Sequence, residues 1–213
     1  MTSPLPRELS WEGCVNVREL GGGIVRSDNA RKLTEAGWQA AWEHGIRTIV
    51  DLRSEPECSD DPPAHAGLEH VRIGLSDFDR PARPDPEDRV EALRLWYWEH
   101  LEHNTSGLAA VFRVLADSGG GVLVHCLGGK DRTGIVSMLL LRLRGASVEE
   151  IEADYMLSEP NLQQVFAVIH APAGVVGPIL ERLEQRHGSV ERYLLEIGLS
   201  REQVERLRAR LAG

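Results

Sequence analysis

Cysteine is scarce and unpaired in this sequence: Cys14, Cys58 and Cys126 are the three in a chain of 213 residues. So sparse and odd a set argues against a disulfide framework and fits a reducing cytoplasm. The spacing also lacks the paired C-x-x-C of a structural zinc site. No apolar run approaches the ~18 residues needed to cross a bilayer. The opening, MTSPLPRELS, has no apolar core of the kind a secretion signal carries. Positive charge is not in surplus either. The formal net charge of −9 speaks against broad binding to nucleic acid or an anionic membrane, both of which need an extended basic surface. Internal repeats and low-complexity tracts are missing. The nearest thing to a linker, RPARPDPED (Arg80–Asp88), reads as a surface loop, so one domain over residues 1–213 is expected. A hydrophobic share of 42% and a charged share of 27% suit a globular chain with a full core.

What is present is an alternation of strand and helix signals followed by helices alone. Thr34 is placed to cap a helix, TEAGWQAAWEH, that ends at Gly45. IRTIVDLR is short, apolar and β-branched and reads as a buried strand. GLEHVRIGL (Gly67–Leu75) gives a second strand. Helical stretches follow near 88–102 and 106–117, then the short apolar run GGGVLVHC and a buried helix, TGIVSMLLLRLR, ending at Gly145. Ser147 and Glu150 form a capping box. A helix near 175–187 stops at Gly188, Ser189 caps a short one, and Val204, Leu207 and Leu211 make one stripe of the last. The expected fold is α/β, with a central, mostly parallel sheet flanked by helices and a helical C-terminal pack.

One stretch carries chemistry. His125–Gly134 reads HCLGGKDRTG, between an apolar strand and an apolar helix. A loop at a helix N-terminus presents unpaired N–H groups and the positive end of the dipole, which favour an anion. Gly128 and Gly129 let backbone amides turn inward, so Leu127, Gly128, Gly129, Lys130, Asp131 and Arg132 are the expected cradle for phosphate or another oxyanion. Arg132 can grip two oxygens at once. The same field favours the thiolate of a cysteine, so Cys126 is expected to be a nucleophile. Thr133 could donate to its sulfur, and His125 is expected to brace the loop rather than act as a base. A nucleotide-binding P-loop fails twice, because Val124 and Asp131 stand where glycine and Ser/Thr are required.

These residues resemble the cysteine-based protein tyrosine phosphatases, and within them the bacterial tyrosine/serine phosphatase branch whose loop reads HCxAGKDRTG. NVRELGG (Asn16–Gly22), VRSDNARKLTEAGW, GIRTIVDLRSEPE, EADYMLSE and HGSVERYLLEIGLSREQVERLRARL extend the resemblance over most of the chain. It implies the protein tyrosine phosphatase-like fold, a phosphocysteine intermediate, and neither metal nor cofactor. The substrate it implies is a phosphorylated protein, with phosphoinositides or dual or triple specificity as the alternative. A non-catalytic phosphate-binding pseudophosphatase and a rhodanese-like sulfur transferase are the competing classes. Val17 and Glu19 depart from the family's Phe and Asp, the hairpin before Arg26 looks shortened, and the WPD acid-loop motif is missing. The general acid is therefore open among Asp77, which leaves a strand on a loop, Asp131 within the cradle, and Asp79. Lys130 either adds charge for a polyanionic substrate or points to solvent. Arg53, with Asp51 and Glu55, is expected to brace the loop, Asp154 and Tyr155 to pack behind it, and Arg18 and Arg26 to support the site without touching substrate. His100 and His103 share a helical face but lack a third metal ligand nearby. The aromatic run LWYWEHL (Leu95–Leu101) is expected to be part core and part wall of the pocket. The oligomeric state is left open.

Overall fold

The chain enters its sheet through three short strands, β1 (Arg7–Glu8), β2 (Arg18–Gly21) and β3 (Ile24–Ser27). The structure, a computed structural model, describes residues 6–61, 65–76 and 87–212. β2 and β3 form an antiparallel hairpin that turns through Gly22–Gly23, a tight turn where the sequence suggested a shortened one. Helix α1 (Glu35–Glu43) starts where Thr34 Oγ1 accepts the Gly37 amide at 3.2 Å. It leads into β4 (Ile46–Asp51), a 3-10 turn over Pro56–Cys58, and β5 (Glu69–Arg72). Two helices, α2 (Arg89–His103) and α3 (Thr105–Asp117), precede β6 (Gly121–His125). The remainder of the described chain is helical: α4 (Arg132–Leu143), α5 (Val148–Met156), α6 (Ser158–Leu162), α7 (Val176–His187), α8 (Val190–Glu196) and α9 (Arg201–Ala212). The capping box at Ser147 and Glu150 is formed in full.

The sheet order is β1-β2-β3-β6-β4-β5. β1 to β3 pair antiparallel, whereas β3, β6, β4 and β5 run parallel. The α/β expectation holds, and the parallel part is the part that matters for the site. β6 lies between β3 and β4, with His125 in register with both Ser27 and Asp51. Its continuous apolar run, Val122-Leu123-Val124, follows from burial on both faces. Leu123 packs with Val25 and Ile49 against α1, while Val122 and Val124 join the larger core under the helices. α4 is buried almost all round, from Ile135 to Leu143, so the segment following the loop is fixed in the centre of the molecule. In parallel sheets of this kind ligands bind beyond the carboxyl ends of the strands, where β6 hands over to α4.

Candidate active site

The residues between β6 and α4 fold into a loop whose carbonyls point away from the thiol. Leu127 O accepts from the Asn29 amide at 3.1 Å. Gly128 O accepts from Asn16 Nδ2 at 3.0 Å, and Gly129 O from Arg26 Nη2 at 2.5 Å. Lys130 O accepts from the Tyr97 hydroxyl at 3.4 Å. Cys126 is buried at the start of the loop, and the Gly129 amide donates to its Sγ at 3.2 Å. Gly129 has φ +64, and a Cβ there would lie 2.1 Å from the Ser27 carbonyl oxygen, so no other residue fits without moving the end of β3.

Arg132 begins α4 and reaches back over the loop. Its Nη1 and Nη2 donate to Glu57 Oε2 and Oε1 at 2.6 and 2.7 Å, and Nη1 also faces Leu52 O at 3.5 Å. That leaves Nε–H and the second hydrogen of Nη2, the side edge of the guanidinium, without a partner among the described residues. Glu57 is itself fixed by the Ser54 amide and hydroxyl, each at 2.9 Å. Hydrogen bonding to Arg132 lowers its carboxyl to about 2. The sequence reading did not single out Glu57.

Beneath the loop, His125 is fully buried. Its Nδ1 lies 3.4 Å from the Ala30 amide and 3.2 Å from Cys126 O, and its Nε2 is 3.6 Å from Asp51. Burial lowers its pKa to about 4 despite the attraction of Asp51, so it is neutral at ordinary pH. Burial pushes the Asp51 carboxyl up, but the hydrogen bonds and charge of Arg53 outweigh it and hold the group below its usual range. Arg53 bridges Asp51 and Asp61 at 2.6 and 2.5 Å. Glu55, expected beside Arg53, stands in solvent 3.7 Å from Arg72, and Asp61 takes its place. Asp51, Cys58 and Asp61 place three possible metal donors close together. Both carboxylates already hold the Arg53 guanidinium.

Lys130 does not point to solvent. It is buried, its Nζ lies 2.5 Å from Asp131 Oδ1 and 5.5 Å from the Tyr155 ring centre. Lys130, Asp131 and Arg132 line a cavity of about 260 Å³ over Cys126, walled by Trp96, Leu127, Phe166 and Ile169. A second cavity, about 500 Å³, adjoins it across Trp96, Lys130, Asp131 and Ile169 and carries Arg89 and His170. Thr133 corrects an expectation, since its buried hydroxyl has no hydrogen-bond partner among the described residues, the thiol included. Asp77 and Asp79 lie outside the described residues. His100 is bonded through Nδ1 to Trp96 O at 2.8 Å, within α2 and not in the metal-donor group.

Behind the loop, Arg18, Arg26 and Asp154, expected as supporting residues, form one buried network; its bonds to particular loop carbonyls were not legible in the sequence. Asp154 of α5 is buried between Arg18, whose Nε is 2.6 Å away, and Arg26, whose Nη1 bonds its other oxygen. Burial would raise this carboxyl, but Arg26 and Arg18 together keep it below the usual range. Burial and the neighbouring Arg26 lower Arg18 to about 10, which leaves it charged at neutral pH.

The sheet, the buried thiol at a helix N-terminus and the arginine across the same cavity define a cysteine-dependent phosphatase of the α/β class. A model of the tyrosine phosphatase family matches residues 9–213, and the chain belongs to that family. A tyrosine-protein phosphatase of Nostoc commune is 30% identical over 220 residues, taking in 88% of this chain and 74% of that protein. The triple specificity protein phosphatase PtpB of Mycobacterium tuberculosis is 27% identical over 253 residues, 90% of this chain and 91% of that one. Among solved structures, the Siw14 catalytic core aligns at 15% identity with a TM-score of 0.48, over 85% of this chain and 96% of the other.

Proposed function

We propose that the chain hydrolyses phosphotyrosine through Cys126, with Arg132 and the loop amides holding the phosphoryl oxygens. Cys126 Sγ attacks phosphorus in line with the leaving oxygen, forming the phosphocysteine as the P–O bond breaks. Water then cleaves the P–S bond and releases phosphate. Stabilisation is mostly electrostatic, from donors already in place around three equatorial oxygens. The observation that carries this reading is the side edge of Arg132, unpartnered among the described residues: two parallel N–H groups, suited to two phosphate oxygens, on a residue that lines the same cavity as Cys126. Trp96 and Phe166 on the walls of that cavity support an aryl ester as substrate. The leaving oxygen takes its proton from Asp77, Asp79 or Asp131. Of these, Asp131 is within the described residues and lines the cavity.

A second reading, activity on more highly charged esters such as phosphoinositides, is supported by the adjoining cavity with Arg89, Lys130 and His170. We take the protein to act as a single phosphatase domain in the cytoplasm, a location that its free cysteines support. No helix among the described residues is long and apolar enough to cross a membrane.

The test is hydrolysis of an aryl phosphate, in the presence of a chelator, by wild type, Cys126→Ser and Arg132→Ala. Turnover by wild type that disappears in both variants is expected. An inactive wild type would overturn the proposal and favour a phosphate-binding module. A panel of phosphopeptides and inositol lipids then ranks the two substrate readings.

A further inference from the structure

We infer that Asn16, Arg18, Arg26 and Asp154 are positioning residues whose task is to pull the loop carbonyls backward and thereby aim the loop amides at the phosphoryl group. The inference rests on the reading of residues 126–132 as the phosphate site. A trans peptide points its C=O and its N–H in opposite directions. Whatever holds the carbonyl of one residue therefore aims the amide of the next. Asn16 Nδ2 holds Gly128 O at 3.0 Å, and the Gly129 amide on the far side of that peptide points at Cys126 Sγ, 3.2 Å away. Arg26 Nη2 holds Gly129 O at 2.5 Å, with Asn16 Nδ2 a further contact at 3.4 Å. The next amide, that of Lys130, is turned inward by the same rule.

Each of these donors is held in turn. Asn16 Oδ1 accepts from Arg18 Nη1 at 2.5 Å, so the amide cannot flip without setting two donors face to face. The Asn16 amide N–H is anchored to Asp28 Oδ1 at 3.0 Å, as is that of Val15. Arg18 reaches Asp154 Oδ1, the Asp154 carbonyl at 2.7 Å and Ser158 Oγ at 3.1 Å. The second oxygen of Asp154 takes Arg26 Nη1. One carboxylate from α5 thus fixes an arginine from β2 and an arginine from β3, and through them two consecutive peptides of the loop. All four side chains are buried, and burying two guanidinium groups is costly unless each is paired. If these groups served packing alone, apolar side chains would fill the same space at less cost. Their hydrogen bonds instead end on the loop carbonyls of Gly128 and Gly129.

Asn16→Asp tests the inference with little change of shape. It keeps an oxygen for Arg18 and replaces the donor that faces Gly128 O with an acceptor. The expected result is a fall in kcat for aryl phosphate of about 100-fold, the scale of losing one amide donor to an oxyanion. The inhibition constant of orthovanadate should rise, and phosphate should no longer protect Cys126 from alkylation. Arg26→Lys, which can satisfy Asp154 or Gly129 O but not both, should change the same quantities in the same direction. Circular dichroism and the thermal midpoint identify the folded variants. A folded Asn16→Asp with wild-type kcat and vanadate affinity overturns the inference. If that variant does not fold, wild-type values in Arg26→Lys overturn it equally. An inactive wild type whose Cys126 is not protected by phosphate is a different outcome, and it fails the phosphatase reading itself.

Discussion

Arg132 and Glu57 meet in a two-bond pair, Nη1 to Oε2 at 2.6 Å and Nη2 to Oε1 at 2.7 Å. This pair sets the rotation of the guanidinium: with its end occupied by the carboxylate, its side edge is left for the cavity that Arg132 and Cys126 both line. Glu57 is carried on the short 3-10 turn after β4, and Ser54 locks the carboxylate from behind. The loop is therefore fixed from two directions. The β4 side orients Arg132, and the β2–β3 hairpin orients the peptides of Gly128 and Gly129.

Glu57→Gln should lower kcat/KM for aryl phosphate by about 10- to 100-fold, the scale of a misplaced binding group. The amide offers one acceptor where the carboxylate offers two, and its NH₂ would face an Nη donor of Arg132. Steady-state kinetics on the folded variant decide it. Wild-type kcat/KM would mean that Arg132 is held by α4 alone.

Gly134→Ala should destabilise the protein by about 1–3 kcal/mol, the usual cost of overpacking. On helix propensity alone, alanine is worth about 1 kcal/mol over glycine. Here a Cβ would lie 2.5 Å from the Tyr97 hydroxyl, which donates to Lys130 O. Denaturant unfolding gives the sign directly. Adding Tyr97→Phe should recover part of the loss, because it removes the atom that clashes. A Gly134→Ala protein more stable than wild type would show that α2 yields at this contact.

The general acid should be revealed by its dependence on the leaving group. Among Asp77→Asn, Asp79→Asn and Asp131→Asn, one variant should lose about 100-fold or more of kcat/KM with phenyl phosphate, within the usual range for acid catalysis. The same variant should lose little with a nitrophenyl ester, whose leaving oxygen needs no proton. Equal losses for both esters in all three variants would rule these carboxylates out as the acid.

The loop was legible because everything that makes it is local. The strand, the glycines, the thiol, the arginine and the apolar helix fall within residues 121–143, and each has a sequence signature. The helix starts at Thr34, Ser147 and Ser189 were legible for the same reason, since a cap is a bond between residues three apart. What escaped was long-range. Glu57 is 75 positions from Arg132, Asn16 is 112 from Gly128 and Arg26 is 103 from Gly129. Nothing near those residues in the sequence announces the partner. β2 and β3 were legible only as the shortened hairpin that the resemblance implied: four residues each, with arginines buried in both, their sequences lack the apolar/polar alternation by which a strand is recognised. Glu55 and Glu57 differ by two positions in one acidic turn, and the direction of the 3-10 turn alone decides which of them faces Arg132.

Stability should fall as pH drops from 6.5 towards 4, and His125 should be a principal cause. Its pKa is about 4 in the folded protein against 6.5 as the ordinary value. Above 6.5 both the folded and the unfolded imidazole are neutral, and the contribution is complete. Between 6.5 and 4 the unfolded chain binds the proton and the folded one does not, so stability declines with falling pH. The whole span is worth about 3 kcal/mol for a fully buried group, at about 1.4 kcal/mol per unit. His70, also lowered by burial and by Arg31, adds to the slope with the same sign. The lowered carboxylates behave differently. Asp51 and Asp154 start from 3.8 and Glu57 from 4.5, so the stability they supply is lost only below those values. Asp28, whose carboxyl burial raises, works with the opposite sign, so the decline across 6.5 to 4.5 comes from the histidines. Urea unfolding at half-unit intervals across that window should show the decline in wild type and a clearly flatter profile in His125→Gln. An equally steep profile in His125→Gln would mean that His125 does not supply the slope.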